Sequence, residues 1–129
     1  MNDEVKERVK AELALLKPDG STKLLEDPDA VIYYNLSSTL GIINSTDVLV
    51  MVPSGYPGAM LDYVYLPDQS PLFNQVRGAV QHAIQADGRT WRQISYHPHN
   101  GGGGPAWNPT IHGFHTYIDE ILTWLSIKQ

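Results

Sequence analysis

Four of the five histidines lie in residues 91–117, together with two of the three tryptophans. The centre of this stretch is a run of four glycines, residues 101–104. Glycine loses more backbone entropy on folding than any other residue, so the run favours a loop. Imidazole rings can exchange protons or bind metal ions near neutral pH. We therefore expect a functional site here, although a slack surface linker carrying ordinary polar histidines would give the same composition.

Acid–base chemistry is one interpretation of these histidines. Ser95 and His97 are two residues apart in a segment predicted to be extended, and positions i and i+2 of such a segment point to the same side. A histidine facing a serine hydroxyl can act as a general base while the serine acts as a nucleophile. Neighbouring serine and histidine residues also occur often by chance.

Metal binding is a second interpretation. His112 and His115 are predicted to lie one helical turn apart with Asp119 on the same flank, and His97 or His99 could approach from the loop. The spacing matches no strong metal signature, and the HExxH motif is absent. A histidine beside an aspartate on a helix flank is more often a hydrogen-bonded surface pair, so we predict no metal and no cofactor.

Three helices are predicted to position this stretch. Residues 3–16 carry apolar side chains at spacings of three and four, which places them on one face of a helix. A serine followed by proline predicts a helix over residues 71–86, and an asparagine followed by proline predicts another over residues 108–126.

Strands are predicted between the first two helices. Runs rich in β-branched and aromatic residues lie at 23–26, 30–37, 47–52 and 61–66, with a further extended segment at 90–96. Neighbouring strands most simply pair as an antiparallel meander. We therefore predict a single α+β domain over residues 1–129: an N-terminal helix, a meander of about four strands, an inserted helix and a C-terminal helix.

Composition limits the partners and the chemistry that this chain can have. The net charge is −5, and lysine and arginine are thinly spread, which argues against nucleic acid or an anionic membrane surface as a partner. No apolar run approaches the roughly 20 residues that span a bilayer, and the N-terminus carries no secretory signal, so we expect the cytoplasm. The chain contains no cysteine, which excludes disulfides, thiolate metal sites and cysteine nucleophiles within it.

Several short motifs occur in an order that is informative. They are Tyr56 with Pro57, a later Pro67, the run His97, Pro98, His99, Asn100, then Trp107, Asn108, Pro109, and the segment Trp91, Ile94, Ser95, His97. In this order they resemble the ubiquitin-conjugating-enzyme (UBC-like) superfamily. The last segment is similar to a W-x-x-[WI]-S-x-H pattern of its bacterial branches. The resemblance covers residues 3–126.

The resemblance implies a UBC-like fold and a role in a bacterial ubiquitin-like conjugation pathway. The implied partners are a ubiquitin-like protein and a ubiquitin-activating-type adenylating enzyme. In the family, the asparagine of an HPN motif steadies the oxyanion; here His99 holds its position and Asn100 follows. The candidate binding residues are Tyr56, Pro57, Trp107, Asn108, His112 and His115.

A conjugating enzyme carries its cargo as a thioester on a cysteine between the HPN and W-S-P motifs. Here that interval, residues 101–106, reads GGGGPA. We prefer a cysteine-less variant that binds without a covalent bond. A second explanation is transfer with His97 or His99 as base or acyl carrier and Ser95 as an ester-forming hydroxyl. A third is a native cysteine replaced at Ala106 or Ser95. From a different class, a small histidine- or metal-dependent hydrolase is the alternative function.

Overall fold

A computed structural model describes residues 1–16, 21–37, 45–70, 79–94 and 106–125. Within these ranges it contains two helices and six strands. In chain order they are α1 (Asp3–Ala14), β1 (Thr22–Leu25), β2 (Ala30–Ser37), β3 (Ser45–Met51), β4 (Val64–Pro67), β5 (Ala79–Ala86), β6 (Arg89–Ile94) and α2 (Phe114–Leu125).

The N-terminal helix is confirmed as α1, and local chemistry explains where it begins. The side chain of Asn2 accepts a hydrogen bond of 2.8 Å from the backbone N–H of Val5, which satisfies one unpaired donor of the first turn. Asp3 and Glu4 in that turn suit the positive end of the helix dipole. Val9 is fully buried, so this face of α1 packs against the sheet.

The six strands form one antiparallel sheet with the order β1-β2-β3-β4-β6-β5. The four predicted strands and the predicted extended segment are confirmed. Each observed boundary lies within three residues of the predicted one. The sheet does not end at β4 as predicted. The chain passes to the far edge as β5 and returns as β6, which lies between β4 and β5.

The predicted inserted helix is wrong over residues 79–86, which form β5; residues 71–78 lie outside the described part of the chain. Asp87 and Gly88 have φ angles of 53° and 71°, so they form a two-residue hairpin turn rather than a helix end. An aspartate–glycine pair is a strong hairpin signal, because both turn positions require positive φ. Pairing of β5 with β6 therefore overrides the helical spacing of its apolar residues.

The C-terminal helix is confirmed, but it begins at Phe114 rather than at residue 108. Asn108 instead opens a turn. Its carbonyl oxygen accepts hydrogen bonds from the backbone N–H groups of Ile111 and His112, and its side-chain oxygen accepts one from the N–H of Thr110. An asparagine side chain that bonds two residues onward stabilises such a turn. The prediction that Asn108 and Pro109 begin the helix is therefore wrong, because they form a turn that precedes α2.

Two apolar clusters lie on opposite faces of the sheet. The helix-side cluster draws on both helices and on β2, β3, β4 and β6, and includes Val9, Tyr33, Val50, Phe114 and Ile121. The outer-face cluster draws on strands alone, and consists of the buried residues Ala30, Ile32, Leu49, Tyr65, Ala86 and Trp91. Neither described helix is long and apolar enough to cross a membrane.

We expect Gly88→Ala to destabilise the hairpin through backbone strain alone. An added Cβ would meet nothing within 4 Å, but φ is +71°, and a left-handed conformation costs an alanine about 1 kcal/mol. Gly88→Asn should recover most of this loss, because asparagine tolerates the left-handed region. Urea unfolding of the three proteins would measure the difference. An equal loss in both variants would contradict the backbone explanation.

Candidate functional site

The candidate catalytic residues Ser95, His97, His99 and Asn100 lie outside the described residues, within 95–105. Their surroundings are defined by the segments on either side. The chain enters this interval from the end of β6 at Ile94, which is buried, and leaves it at Ala106, which is exposed.

Trp107 is fixed to the turn that contains Tyr56 and Pro57, a contact that the sequence did not predict. Its indole N–H donates a hydrogen bond of 2.8 Å to the carbonyl oxygen of Pro57. Its ring lies 6.2 Å from the ring of Tyr56 at a tilt of 51°. The Tyr56–Pro57 peptide bond is cis. Two segments about fifty residues apart in sequence therefore meet at Trp107.

Asn108 and His112 close the turn after Trp107. The backbone N–H of Asn108 donates to Nδ1 of His112 over 2.9 Å, so this nitrogen is the acceptor and the proton of the neutral ring is assigned to Nε2. The imidazole also lies over Trp107, with ring centroids 5.4 Å apart. His112 is thereby held in one orientation beside the indole.

The predicted common flank of His112, His115 and Asp119 is wrong, because His112 precedes α2. His115 is on the helix, and its Nδ1 is buried with no hydrogen-bond partner within the described residues. The described ranges contain no group of three histidine, aspartate or glutamate residues arranged to hold a metal ion. His97 and His99, which the metal interpretation also used, lie outside the described residues.

A buried carboxylate, Glu12, connects α1 to the two segments just described. Its side chain is 7% exposed. Oε1 accepts a hydrogen bond from the hydroxyl of Tyr56 over 2.5 Å and another from the backbone N–H of Phe114 over 3.1 Å. The second bond satisfies a free N–H at the start of α2, where a negative charge also suits the helix dipole.

Arg8 completes this network. Its Nε donates to Oε2 of Glu12 over 2.8 Å, and its terminal nitrogen donates to the carbonyl oxygen of Pro109 over 2.5 Å. The guanidinium lies 5.8 Å from the ring centre of Tyr56, a cation–π distance. One arginine therefore ties α1 to the turn after Trp107 while neutralising the buried carboxylate.

The close approach of the Glu12 carboxylate leaves no room for a side chain at Gly113. A Cβ at this position would lie 2.5 Å from Cδ and Oε2 of Glu12, closer than any real contact. Only glycine lets the backbone before α2 approach the carboxylate closely enough for the Phe114 bond.

Sequence reasoning missed Arg8, Glu12 and Gly113. Glu12 follows Val9 by three residues and precedes an apolar leucine, so it falls beside the apolar stripe of α1. A charged residue at that position was a usable signal of a buried, paired carboxylate. Its partners could not be named from sequence, because Phe114 is 102 residues away.

A sequence profile described as Prokaryotic E2 family E matches residues 26–128. The chain belongs to this prokaryotic E2 family. Comparisons with curated proteins and with solved structures found no match. Membership indicates a role in a bacterial ubiquitin-like conjugation pathway, in which E2-type proteins act on protein partners.

The matched residues of this E2-family chain include every strand from β2 to β6 and helix α2. They also include the turn at residues 107–112, which we call the Trp107 turn. Helix α1, with Arg8 and Glu12, precedes the matched range. The network around Glu12 therefore joins a segment outside the match to Tyr56, Pro109 and Phe114, which lie within it.

Gly113→Ala should displace the Glu12 carboxylate and lower the free energy of unfolding by roughly 1–3 kcal/mol, as overpacking of a filled site usually does. Gly58→Ala is the comparison, because its Cβ would lie 3.3 Å from the nearest atom, the carbonyl oxygen of Gly55. Denaturant unfolding measures both. If Gly58→Ala costs as much as Gly113→Ala, the carboxylate is not the constraint on residue 113.

Alkaline pH should destabilise this protein through its buried tyrosines. Burial raises the pKa of Tyr33, and burial together with the hydrogen bond to Glu12 raises the pKa of Tyr56. Both pKa values are higher in the folded state, so stability is complete below the ordinary tyrosine pKa of about 10 and falls as pH rises above it. Each such tyrosine contributes a slope of about 1.4 kcal/mol per pH unit.

Tyr56→Phe should make this alkaline slope shallower by about one tyrosine's share. The measurement is the free energy of unfolding as a function of pH, from about 9 to 11, for the parent and the variant. An unchanged slope would show that Tyr56 ionises in the folded protein as readily as in the unfolded chain.

Proposed function

We propose that this E2-family chain binds a ubiquitin-like protein without carrying it as a cysteine thioester. The observation that supports the proposal is a family match over residues 26–128 in a chain that contains no cysteine. Thioester formation needs a thiolate, and this chain has none to supply. What an E2-type protein can still contribute is recognition of its partners.

The fixed turn after Trp107 supports a recognition role. Trp107 is held by Pro57 and His112 by the backbone of Asn108, so this aromatic pair is fixed in advance. A fixed surface loses less entropy when a partner binds, which favours affinity. Tryptophan is also a frequent energetic anchor of protein interfaces.

A groove beside the turn that contains Tyr56 and Pro57 offers further contact area. It has a volume of about 490 Å³. Its lining residues are Asn2, Glu4, Val5, Arg8, Tyr56 and Pro57. Since Arg8 also bonds Pro109, a partner in this groove would touch the network that holds the Trp107 turn. We assign partner binding to this side of the protein, where α1 and the two turns meet.

Covalent transfer through Ser95, His97 or His99 is the other form of the same function. An acyl group on imidazole hydrolyses readily, so a histidine carrier must be kept from water. The glycine run at 101–104 supplies no side chains for that purpose. We therefore favour noncovalent binding, and the experiment below separates the two.

The chain is mixed with its ubiquitin-like protein, the adenylating enzyme and ATP, and the products are separated by denaturing electrophoresis with and without reductant. We expect binding in calorimetric titration and no adduct on the gel. An adduct that resists reductant and disappears in Ser95→Ala or His97→Ala would overturn the noncovalent form in favour of transfer. Stoichiometric zinc in the purified protein, together with no binding, would support the hydrolase alternative instead.

Trp107→Ala should weaken binding of the ubiquitin-like protein by tenfold or more, about 1.4 kcal/mol, as loss of an aromatic anchor does. Trp107→Phe keeps an aromatic ring without the hydrogen bond to Pro57. Its affinity should lie between those of the parent and Trp107→Ala. Leu15→Ala is the matched control, because Leu15 is 72% exposed and lies outside this surface. Equal affinities for all four proteins would place the interface elsewhere.

A further inference from the structure

The turn between β5 and β6 reaches the opposite edge of the sheet. Oδ1 of Asp87 accepts a hydrogen bond of 2.8 Å from the ammonium of Lys23 on β1, and Oδ2 accepts one of 3.3 Å from the hydroxyl of Tyr34 on β2. The hydrogen bond to Asp87 raises the pKa of Lys23, and the bond from Lys23 lowers the pKa of Asp87, so both stay charged. The strand order separates β1 from β6 by three strands, so the sheet curls over its own outer face.

A second ion pair holds the same turn. Arg89 donates to Asp47 on β3 over 2.7 Å, and Asp47 also accepts the backbone N–H of Asn35 over 3.0 Å. The guanidinium of Arg89 lies 4.7 Å above the ring of Trp91. The turn is therefore fixed to three strands that precede it in sequence.

The outer-face cluster lies under this turn. Ile32, Leu49 and Trp91 are fully buried, although no described helix contributes to their cluster. The indole N–H of Trp91 donates to the carbonyl oxygen of Ala86 over 3.0 Å, which joins the centre of the cluster to the turn. The hairpin thus covers the outer face in the way that the helices cover the other face.

Limited backbone pairing and partly exposed ion pairs attach the turn to the rest of the sheet. Strand β4 pairs with β6 only from Trp91 to Ile94, and beyond that point one backbone hydrogen bond, from Asp68 to Thr90, continues the contact. The side chains of Lys23 and Arg89 are 49% and 40% exposed, so water competes with their ion pairs.

We propose that the Asp87 turn is a latch: when closed it seals the outer face of the sheet, and when released it exposes Ile32, Leu49 and Trp91. A protein that uses the outer face must first displace the turn. This inference rests on the geometry of the hairpin and is independent of the proposed function.

Hydrogen exchange of the Trp91 indole N–H, followed by NMR, tests the latch in the whole chain. The bond from this group to Ala86 is protected only while the turn is closed. The backbone N–H of Tyr117, bonded to Gly113 on the helix side, is the internal reference for global unfolding. Lys23→Glu places two carboxylates together and should raise the indole exchange rate several-fold, up to about tenfold, with little change at Tyr117.

The charge swap Lys23→Glu with Asp87→Lys restores an ion pair, but a lysine at φ 53° strains the turn. The swap should therefore slow the indole exchange relative to Asp87→Lys alone, which carries the same lysine in the turn. Equal acceleration at Trp91 and Tyr117 would overturn the latch, because the outer face would then open only by global unfolding. No acceleration in Lys23→Glu would overturn it as well, since the ion pair would not hold the turn.

A crosslink provides the opposite perturbation. Lys23→Cys with Asp87→Cys would introduce the only two cysteines of the chain, so a short bis-maleimide can join them specifically. The crosslinked protein should show slower indole exchange than the same variant with its thiols blocked singly. An unchanged rate would mean that the turn does not move as a unit.

Discussion

One buried carboxylate joins α1, the turn at Tyr56 and the start of α2. Glu12 is almost entirely removed from water, and a charge in that position is costly unless hydrogen bonds replace its hydration. Its donors are the hydroxyl of Tyr56, the backbone N–H of Phe114 and the guanidinium of Arg8. They come from three distant parts of the chain, so the carboxylate is satisfied only when α1, the Tyr56 turn and the start of α2 are assembled. The surface around Trp107 depends on that assembly.

The two faces of the sheet are used differently. On one face the helices pack, and at their edge α1 meets the turn at Tyr56 and Pro57 and the turn after Trp107. The other face is covered by the chain's own hairpin, clamped by ion pairs at its rim. The helix side therefore carries the fixed turn on which the proposed partner surface is built, whereas the outer side is covered by the chain itself.

The sequence pattern predicted most of the helices and strands. Strand β2 was predicted to the residue, because its β-branched and aromatic side chains occupy both buried faces of a central strand. The error at residues 79–86 has a physical cause: apolar residues in a short strand buried on one face can match helical spacing, and Asp87 with Gly88 can end a helix or form a hairpin. Pairing with β6 decided between them. The delayed start of α2 has a similar cause, since the Asn108 cap serves a turn and Gly113 must meet Glu12 first.

The sequence by itself determined the chemistry that this chain cannot perform. A chain without cysteine forms no thioester, and the order of its short motifs already indicated the E2-like relationship that the family match supports. Only the tertiary structure decided how the surface is held: the sequence did not single out Glu12, and it placed Asp87 at the end of a predicted helix over residues 71–86. Their roles come from contacts with residues 102 and 64 positions away, and no local pattern specifies which distant donor a carboxylate will meet.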